Sequence, residues 1–318
     1  MNTAIVKAVP STAAPLARSD LQSIADAFFS RRSPQTVEAY GRALLDFAAW
    51  MGAADGMAAV RELIQAGQGA ANVKALAYMA ELRHRGLSPS TINQRLAAIK
   101  SMIKLARQGG MIAWGLEVEA ERVEGSRDMR GPGLDAVNAI TRELKDRPGM
   151  KAARDYAILH LLWGLALRRA ELCGLDLSDV DLEAGRITVK RKGQTQKREL
   201  ALGPVQVKAL WKWLEARGTV PGPLFPNVDR ARKGAGRLTP RGLYAILQAY
   251  GRRHGRTIRP HGIRHSAITE YNRKCGGRLA SLQAFSGHKS VNVLMRHYMD
   301  ETAELQAEAA AIMGSLIQ

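Results

Sequence analysis

Apolar residues recur at helical spacing along most of this chain. Val37, Tyr40, Leu44, Phe47 and Met51 fall on one helical face. Ser33-Pro34, just ahead of them, supplies a capping hydroxyl and a proline whose fixed φ suits the first helical position. Ser88-Pro89 repeats that start before Ile92, Leu96, Ile99 and Ile103, and Gly109-Gly110 ends the pattern. Between them, Val73, Leu76, Ala80 and His84 predict a further helix. All these stripes are read as faces packed into a core. Residues 20–110 are thus expected to form one helical domain, and residues 1–19, with Pro10, Pro15 and no apolar period, a flexible tail.

Residues 111–135 mix Gly, Pro and alternating charge, which predicts a linker or an extended crossing segment. A second domain is expected over 136–318. Helices are predicted at 136–147, 152–173, 204–217, 239–254, 264–274, 278–286 and 301–316. In the middle the period changes from 3.6 to two. Arg186–Lys190 and Lys197–Leu202 alternate around a polar, Gly-containing turn, which predicts a β-hairpin, with a short strand before it at Asp179–Glu183. The fold class is therefore mainly α with a small antiparallel β-sheet. The last helix carries an apolar stripe of Leu305, Ala309, Ile312 and Leu316, suited to docking on the chain's own core or on a neighbouring protomer.

Charge changes this picture from architecture to partner. The 318 residues hold 47 Lys and Arg against 29 Asp and Glu, a net of +18. Residues 186–298 alone hold 24 basic side chains and four acidic ones, Glu199, Glu215, Asp229 and Glu270. Such a field repels itself unless a polyanion lies across it, and nucleic acid is the usual one. Only 5% of the chain is aromatic, and those residues are scattered over helices, so there is no stacking platform of the kind single-stranded RNA binders use. Two cysteines, Cys173 and Cys275, cannot build a disulfide framework or a zinc site. Neither a signal peptide nor an apolar run of membrane-spanning length is visible, so a cytoplasmic protein away from membranes is expected. Phosphate-binding Gly-rich loops and zinc-protease motifs are absent from the sequence. Asp176, Asp179 and Asp181 cluster, but are read as caps of the turn into the hairpin.

Four short segments then point to a chemistry. Leu167-Arg168-Arg169-Ala170-Glu171 sets an arginine three places before an acid. His261-Gly262-Ile263-Arg264-His265 follows, then Ser286-Gly287-His288-Lys289, then Tyr298. Each is weak alone; their order, with a basic hairpin between the first two, is specific. Together they resemble the tyrosine recombinase or phage integrase family of Xer-like site-specific recombinases, over about residues 20–310. The helical domain 20–110 is similar to that family's SAM-like core-binding domain. One departure stands out. In the family the tyrosine usually follows the third-segment histidine by nine places; here Tyr298 follows His288 by ten, with His297 at the ninth.

The resemblance implies a two-domain, C-shaped clamp on DNA and an enzyme that cleaves and rejoins strands through a 3′-phosphotyrosyl bond, with no metal, ATP or other cofactor. Arg168 and Arg264 would hold the non-bridging oxygens of the phosphate; a guanidinium stays charged and offers paired donors, which suits a transition state gaining negative charge. Arg169 is the rival of Arg168, and the i, i+3 acid Glu171 favours Arg168. Tyr298 would be the nucleophile, because a phenolate both attacks and leaves well. His261 would take the tyrosyl proton and His288 would bond a non-bridging oxygen, with His265 bracing its helix. Lys192, before Gly193 at the hairpin turn, would protonate the leaving 5′-oxygen, with Lys190 and Lys197 as rivals. Implied partners are duplex DNA with an inverted-repeat core site, a tetramer of this chain or of this chain with a close paralogue, and accessory DNA-bending proteins, all in the prokaryotic cytoplasm or nucleoid. A type IB topoisomerase and a DNA-binding relative that has lost the reaction are the alternatives. Neither the target site nor the biological use is written in the residues, since contacts to phosphate position a protein without reading bases.

Overall fold

The computed structural model describes residues 18–123, 131–191, 196–228, 236–276 and 278–288, and the single positions 291, 294, 310, 313 and 314. The chain divides into two compact units, Met1–Ser126 and Arg127–Gln318, each with its own hydrophobic core. The architecture is mainly helical with one small antiparallel sheet, in agreement with the residue pattern.

The first unit holds α1 (Arg18–Ser30), α2 (Pro34–Met51), α3 (Gly56–His84) and α4 (Pro89–Gln108). Both Ser-Pro starts act as expected. The Ser33 hydroxyl accepts from the Thr36 amide at 3.3 Å and the Ser88 hydroxyl from the Thr91 amide at 3.4 Å, each satisfying an amide that the helix leaves without a partner. Leu44 and Phe47 on α2 and Ile92, Leu96, Ile99 and Ile103 on α4 are buried.

The face of α3 is not the one expected. Val73 and Leu76 are 66% and 54% exposed, and the buried side is Ala71, Ala75, Tyr78, Met79 and Leu82. The helix is broken upstream of all these residues, at Gly67, whose φ is 80° and ψ 167°. Small alanines then let the neighbouring helices approach closely, while Tyr78 packs its ring 4.9 Å from Phe47 and 5.3 Å from Trp50. Residues 111–123 form neither helix nor strand but lie on this first core. Val118 is buried, Met111, Ile112, Trp114 and Leu116 pack beside it, and the Asn93 side chain bonds the Glu121 main chain at 2.9 and 2.6 Å.

In the second unit come α5 (Gly133–Lys145), α6 (Met150–Gly164) and α7 (Arg169–Cys173), then a 3-10 turn over Leu177–Asp179. Strands β1 (Val180–Asp181), β2 (Arg186–Lys190) and β3 (Lys197–Ala201) pair antiparallel in that order, with β2 and β3 in register from Arg186 opposite Ala201 to Lys190 opposite Lys197. The chain continues through α8 (Pro204–Arg217), α9 (Pro240–Arg253), α10 (Pro260–Lys274) and α11 (Leu279–Ser286). Ile187 and Val189, the inward residues of β2, join a core centred on α6, Trp213 and Phe225. Cys173 belongs to that core, and burial pushes its thiol up to about 11. The predicted helix 301–316, and with it Leu305, Ala309, Ile312 and Leu316, lies outside the described residues save for exposed Ala310, Met313 and Gly314.

Residues 152–173 are not one helix. α6 stops at Gly164, Ala166 takes a left-handed φ of 47°, and α7 begins only after Arg168. A non-glycine residue with positive φ costs energy and persists where its surroundings hold it. Here the turned carbonyl of Ala166 is gripped by Arg264, as described below. The clustered aspartates behave as caps. Asp179 Oδ2 accepts from the Asp176 amide and Asp181 Oδ1 from the Ala184 amide, while Asp176 also pairs with Arg237.

Candidate active site

The site is built on the break between α6 and α7. Arg168 is the residue before α7, and Glu171 answers it twice. Glu171 Oε2 accepts from the Arg168 amide at 2.8 Å and Oε1 from Arg168 Nη1 at 2.9 Å. The i, i+3 relation read from the sequence is therefore a capping relation across the start of a short helix, not two side chains on the face of a long one. Arg168 keeps 30% of its side chain in solvent, whereas Glu171 is buried. Its rival Arg169 is exposed.

Arg264, on the second turn of α10, is 3% exposed. Its Nη1 donates to the carbonyl of Ala166, and its Nη2 donates to the carbonyl of Ser286 at 2.5 Å. One guanidinium thus ties the segment before Arg168 to the segment before His288. His288 follows the left-handed Gly287 that ends α11, and its carbonyl accepts from the Gln283 side chain at 3.2 Å. His261 lies one turn before Arg264 and is exposed. His265 sits 3.5 Å from the Thr269 hydroxyl on the same helix. The structure therefore brings the first, second and third motif segments together around Arg264. Lys192 and Tyr298 lie outside the described residues. Of the rivals to Lys192, Lys197 is held by buried Asp179, and Lys190 is exposed at the end of β2.

One residue of the site was missed by sequence reasoning. Arg191, directly after β2, turns inward and is buried, with its guanidinium pressed against the backbone of Gly287. A methyl group added to Gly287 would overlap Arg191 Nη1, so the glycine there serves both the left-handed φ of 63° and the space. Arg191 sits in the fields of Glu171, Arg198 and Arg168. Its only signal in the sequence is the position next to Lys192.

The model of the phage integrase family matches residues 134–304, and that of the phage integrase N-terminal SAM-like domain matches residues 28–110. A tyrosine recombinase of Synechocystis sp. is 35% identical over 293 residues, 90% of this chain and 93% of that protein. A tyrosine recombinase of Synechococcus elongatus is 34% identical over 293 residues, 90% of this chain and 91% of its own length. Among solved structures, the integrase of transposon Tn1549 in complex with transposon right-end DNA has the same fold, with a TM-score of 0.64 at 16% identity over 92% of this chain and 99% of that one.

Proposed function

Because the chain belongs to the phage integrase family of tyrosine recombinases, we propose that it is a site-specific DNA recombinase working through a covalent bond between Tyr298 and DNA. In this reading the Tyr298 oxygen attacks the scissile phosphorus and passes its proton to His261. The 5′-oxygen leaves with a proton from Lys192. The products are a 3′-phosphotyrosine and a free 5′-hydroxyl. Rejoining is the reverse step with the 5′-hydroxyl of another strand. The energy of the broken phosphodiester stays in the phosphotyrosine, so neither ATP nor a metal ion is called for. Arg168 and Arg264 stabilise the charge that builds on the non-bridging oxygens, and His288 donates to one of them; one such donor is typically worth about 10²–10³ in rate. Glu171 and His265 support Arg168 and the α10 segment.

The observation that supports this reading most strongly is the reach of Arg264. A buried arginine that bonds the carbonyls of Ala166 and Ser286 sets three sequence-distant motif segments around one guanidinium. A phosphate is the ligand whose charge and oxygen geometry match such an assembly. The partners that go with this chemistry are duplex DNA with an inverted-repeat core site, three further protomers in the synapse, and accessory bending proteins. The DNA substrate places the work in the cytoplasm or nucleoid.

A nicked suicide duplex tests the reading directly. Incubated with its core site in EDTA, the protein should give a denaturant-stable DNA adduct that maps to Tyr298 at a 3′-phosphate. Tyr298→Phe should bind the same duplex and give no adduct. A duplex that is bound at its site and never joined to the protein would refute catalysis and leave a DNA-binding protein. Lys192→Ala should cleave an ordinary strand slowly and regain speed when the leaving 5′-oxygen is replaced by sulfur, which departs without a proton. A variant equally slow on both substrates would remove Lys192 from the proton-donor role.

A further inference from the structure

Arg191 is 6% exposed, and its Nε and Nη1 have no hydrogen-bond partner among the described residues. A buried guanidinium left in that state is costly, because it has given up water and received nothing equivalent. Its surroundings do not compensate. Among the described residues Glu171 is the one acid acting on it, and each oxygen of Glu171 already accepts a hydrogen bond from Arg168, one from its amide and one from its Nη1. Arg168 and Arg198 add like charge. Burial and these two arginines outweigh Glu171 and make the charged form of Arg191 harder to keep than usual.

The position of this side chain is as informative as its lack of partners. Its guanidinium rests on Gly287, between Ser286, whose carbonyl is held by Arg264, and His288. It therefore lies at the meeting point of the motif segments, beside the residues assigned above to the phosphate. Among the described residues, folding has gathered three guanidiniums there, from Arg168, Arg191 and Arg264, with the one carboxylate of Glu171. Such a cluster suits an anion with several acceptor oxygens.

We infer that Arg191 is a third arginine of the phosphate site, whose guanidinium donates to a non-bridging oxygen of the scissile phosphate when DNA is bound. This rests on the strand-cleavage reading above and extends it to a residue outside the motif segments. A guanidinium stays charged and carries N–H donors on every edge, which suits it to the oxygens of a phosphate. In the absence of DNA the same side chain fills the pocket as an uncompensated charge, which stores a cost that anion binding relieves.

Arg191→Met keeps the bulk of the side chain and removes the charge and the donors. Its expected signature is opposite in stability and in activity. Without phosphate its melting temperature should equal or exceed that of the wild type, since an uncompensated buried charge has been replaced by an apolar chain. Inorganic phosphate, exchanged for chloride at constant ionic strength, should raise the melting temperature of the wild type more than that of the variant. Adduct formation on the nicked duplex should fall about 10²-fold. Most of that loss should vanish on one diastereomer of a duplex carrying a methylphosphonate at the scissile position, where an uncharged methyl replaces the oxygen that needed the guanidinium. Arg191→Lys, which keeps charge without the paired donors, should fall between the two.

The results separate the two claims. If the wild type forms the adduct, Arg191→Met matches it, and phosphate stabilises both alike, Arg191 has no part in the site although strand cleavage stands. If the wild type forms no adduct, yet phosphate stabilises it and not the variant, the anion site stands and the cleavage reading falls. A variant that melts lower, with the same activity deficit on phosphodiester and on both methylphosphonates, would assign Arg191 a packing role and overturn the inference.

Discussion

Arg168 owes its position to main-chain chemistry as much as to its own charge. It stands at a helix start, where amides lack partners, and buried Glu171 serves both its amide and its guanidinium. Removing Glu171 therefore does two things at once. Glu171→Ala should lower stability by about 1–2 kcal/mol, through the lost cap and a hydrogen bond to a charged group. It should also slow adduct formation far more than it weakens DNA binding, because the arginine loses its orientation while the basic surface remains. Urea midpoints and single-turnover adduct rates on the nicked duplex check this. An unchanged rate would mean that Arg168 holds its place without Glu171. The pairing of Arg168 with Glu171 was legible in the sequence as an i, i+3 spacing, while its nature as a cap was not, because that depends on the backbone turning at Ala166.

At the scale of elements, the first unit is tied by one carboxylate. Asp46 on α2 accepts from the Tyr78 hydroxyl on α3 at 2.5 Å and from Arg85, just past α3, at 2.8 Å, and it pairs with Arg95 on α4. Burial by itself would raise the Asp46 pKa, but the hydrogen bonds from Arg85 and Tyr78 and the charge of Arg95 bring it below its ordinary value. A carboxylate with a folded-state pKa below its unfolded value stabilises the fold above the unfolded value, and that contribution is lost as pH falls through the folded value. Asp46→Asn should cost about 2 kcal/mol at neutral pH, the worth of a charged hydrogen bond. The variant should also lose less further stability than the wild type on acidification below the ordinary aspartate range. Parallel acid limbs for the two proteins would show that Asp46 is not the linked group. The helices themselves were readable from caps and periods: α8 begins at Pro204 and ends at Arg217 as expected, and α4 stops at the glycine pair. Which side of α3 faces inward was not readable, because the stripe of Val73, Leu76, Ala80 and His84 and the buried set of Ala71, Ala75, Tyr78, Met79 and Leu82 both recur at helical spacing.

For the whole molecule, charge sets the expected behaviour. The stretch 186–298, with 24 basic residues against four acidic, runs through the hairpin, α8, α9, α10 and α11. A duplex lying along so basic a surface releases condensed counterions, so affinity should fall steeply with salt. Between 50 and 200 mM monovalent salt the loss should be about 10³–10⁵-fold if 6–10 phosphates are neutralised. Fluorescence anisotropy across that range measures it, and a change of only a few-fold would argue that these charges do not lie on DNA.

The sequence by itself determined the fold class, most helix and strand limits, the excess of basic residues and the candidate residues of the site. These depend on short-range rules: a serine before a proline, a two-residue period, an acid three places after an arginine, a fixed order of short motifs. The tertiary structure alone decided that helix 152–173 breaks at Ala166, that Arg264 bridges carbonyls 98 and 22 residues away, and that Arg191 turns inward. Along the chain Arg191 and Arg198 are both arginines of one basic hairpin. Their difference arises when the end of α11 closes over one of them, because burial is set by segments distant in sequence.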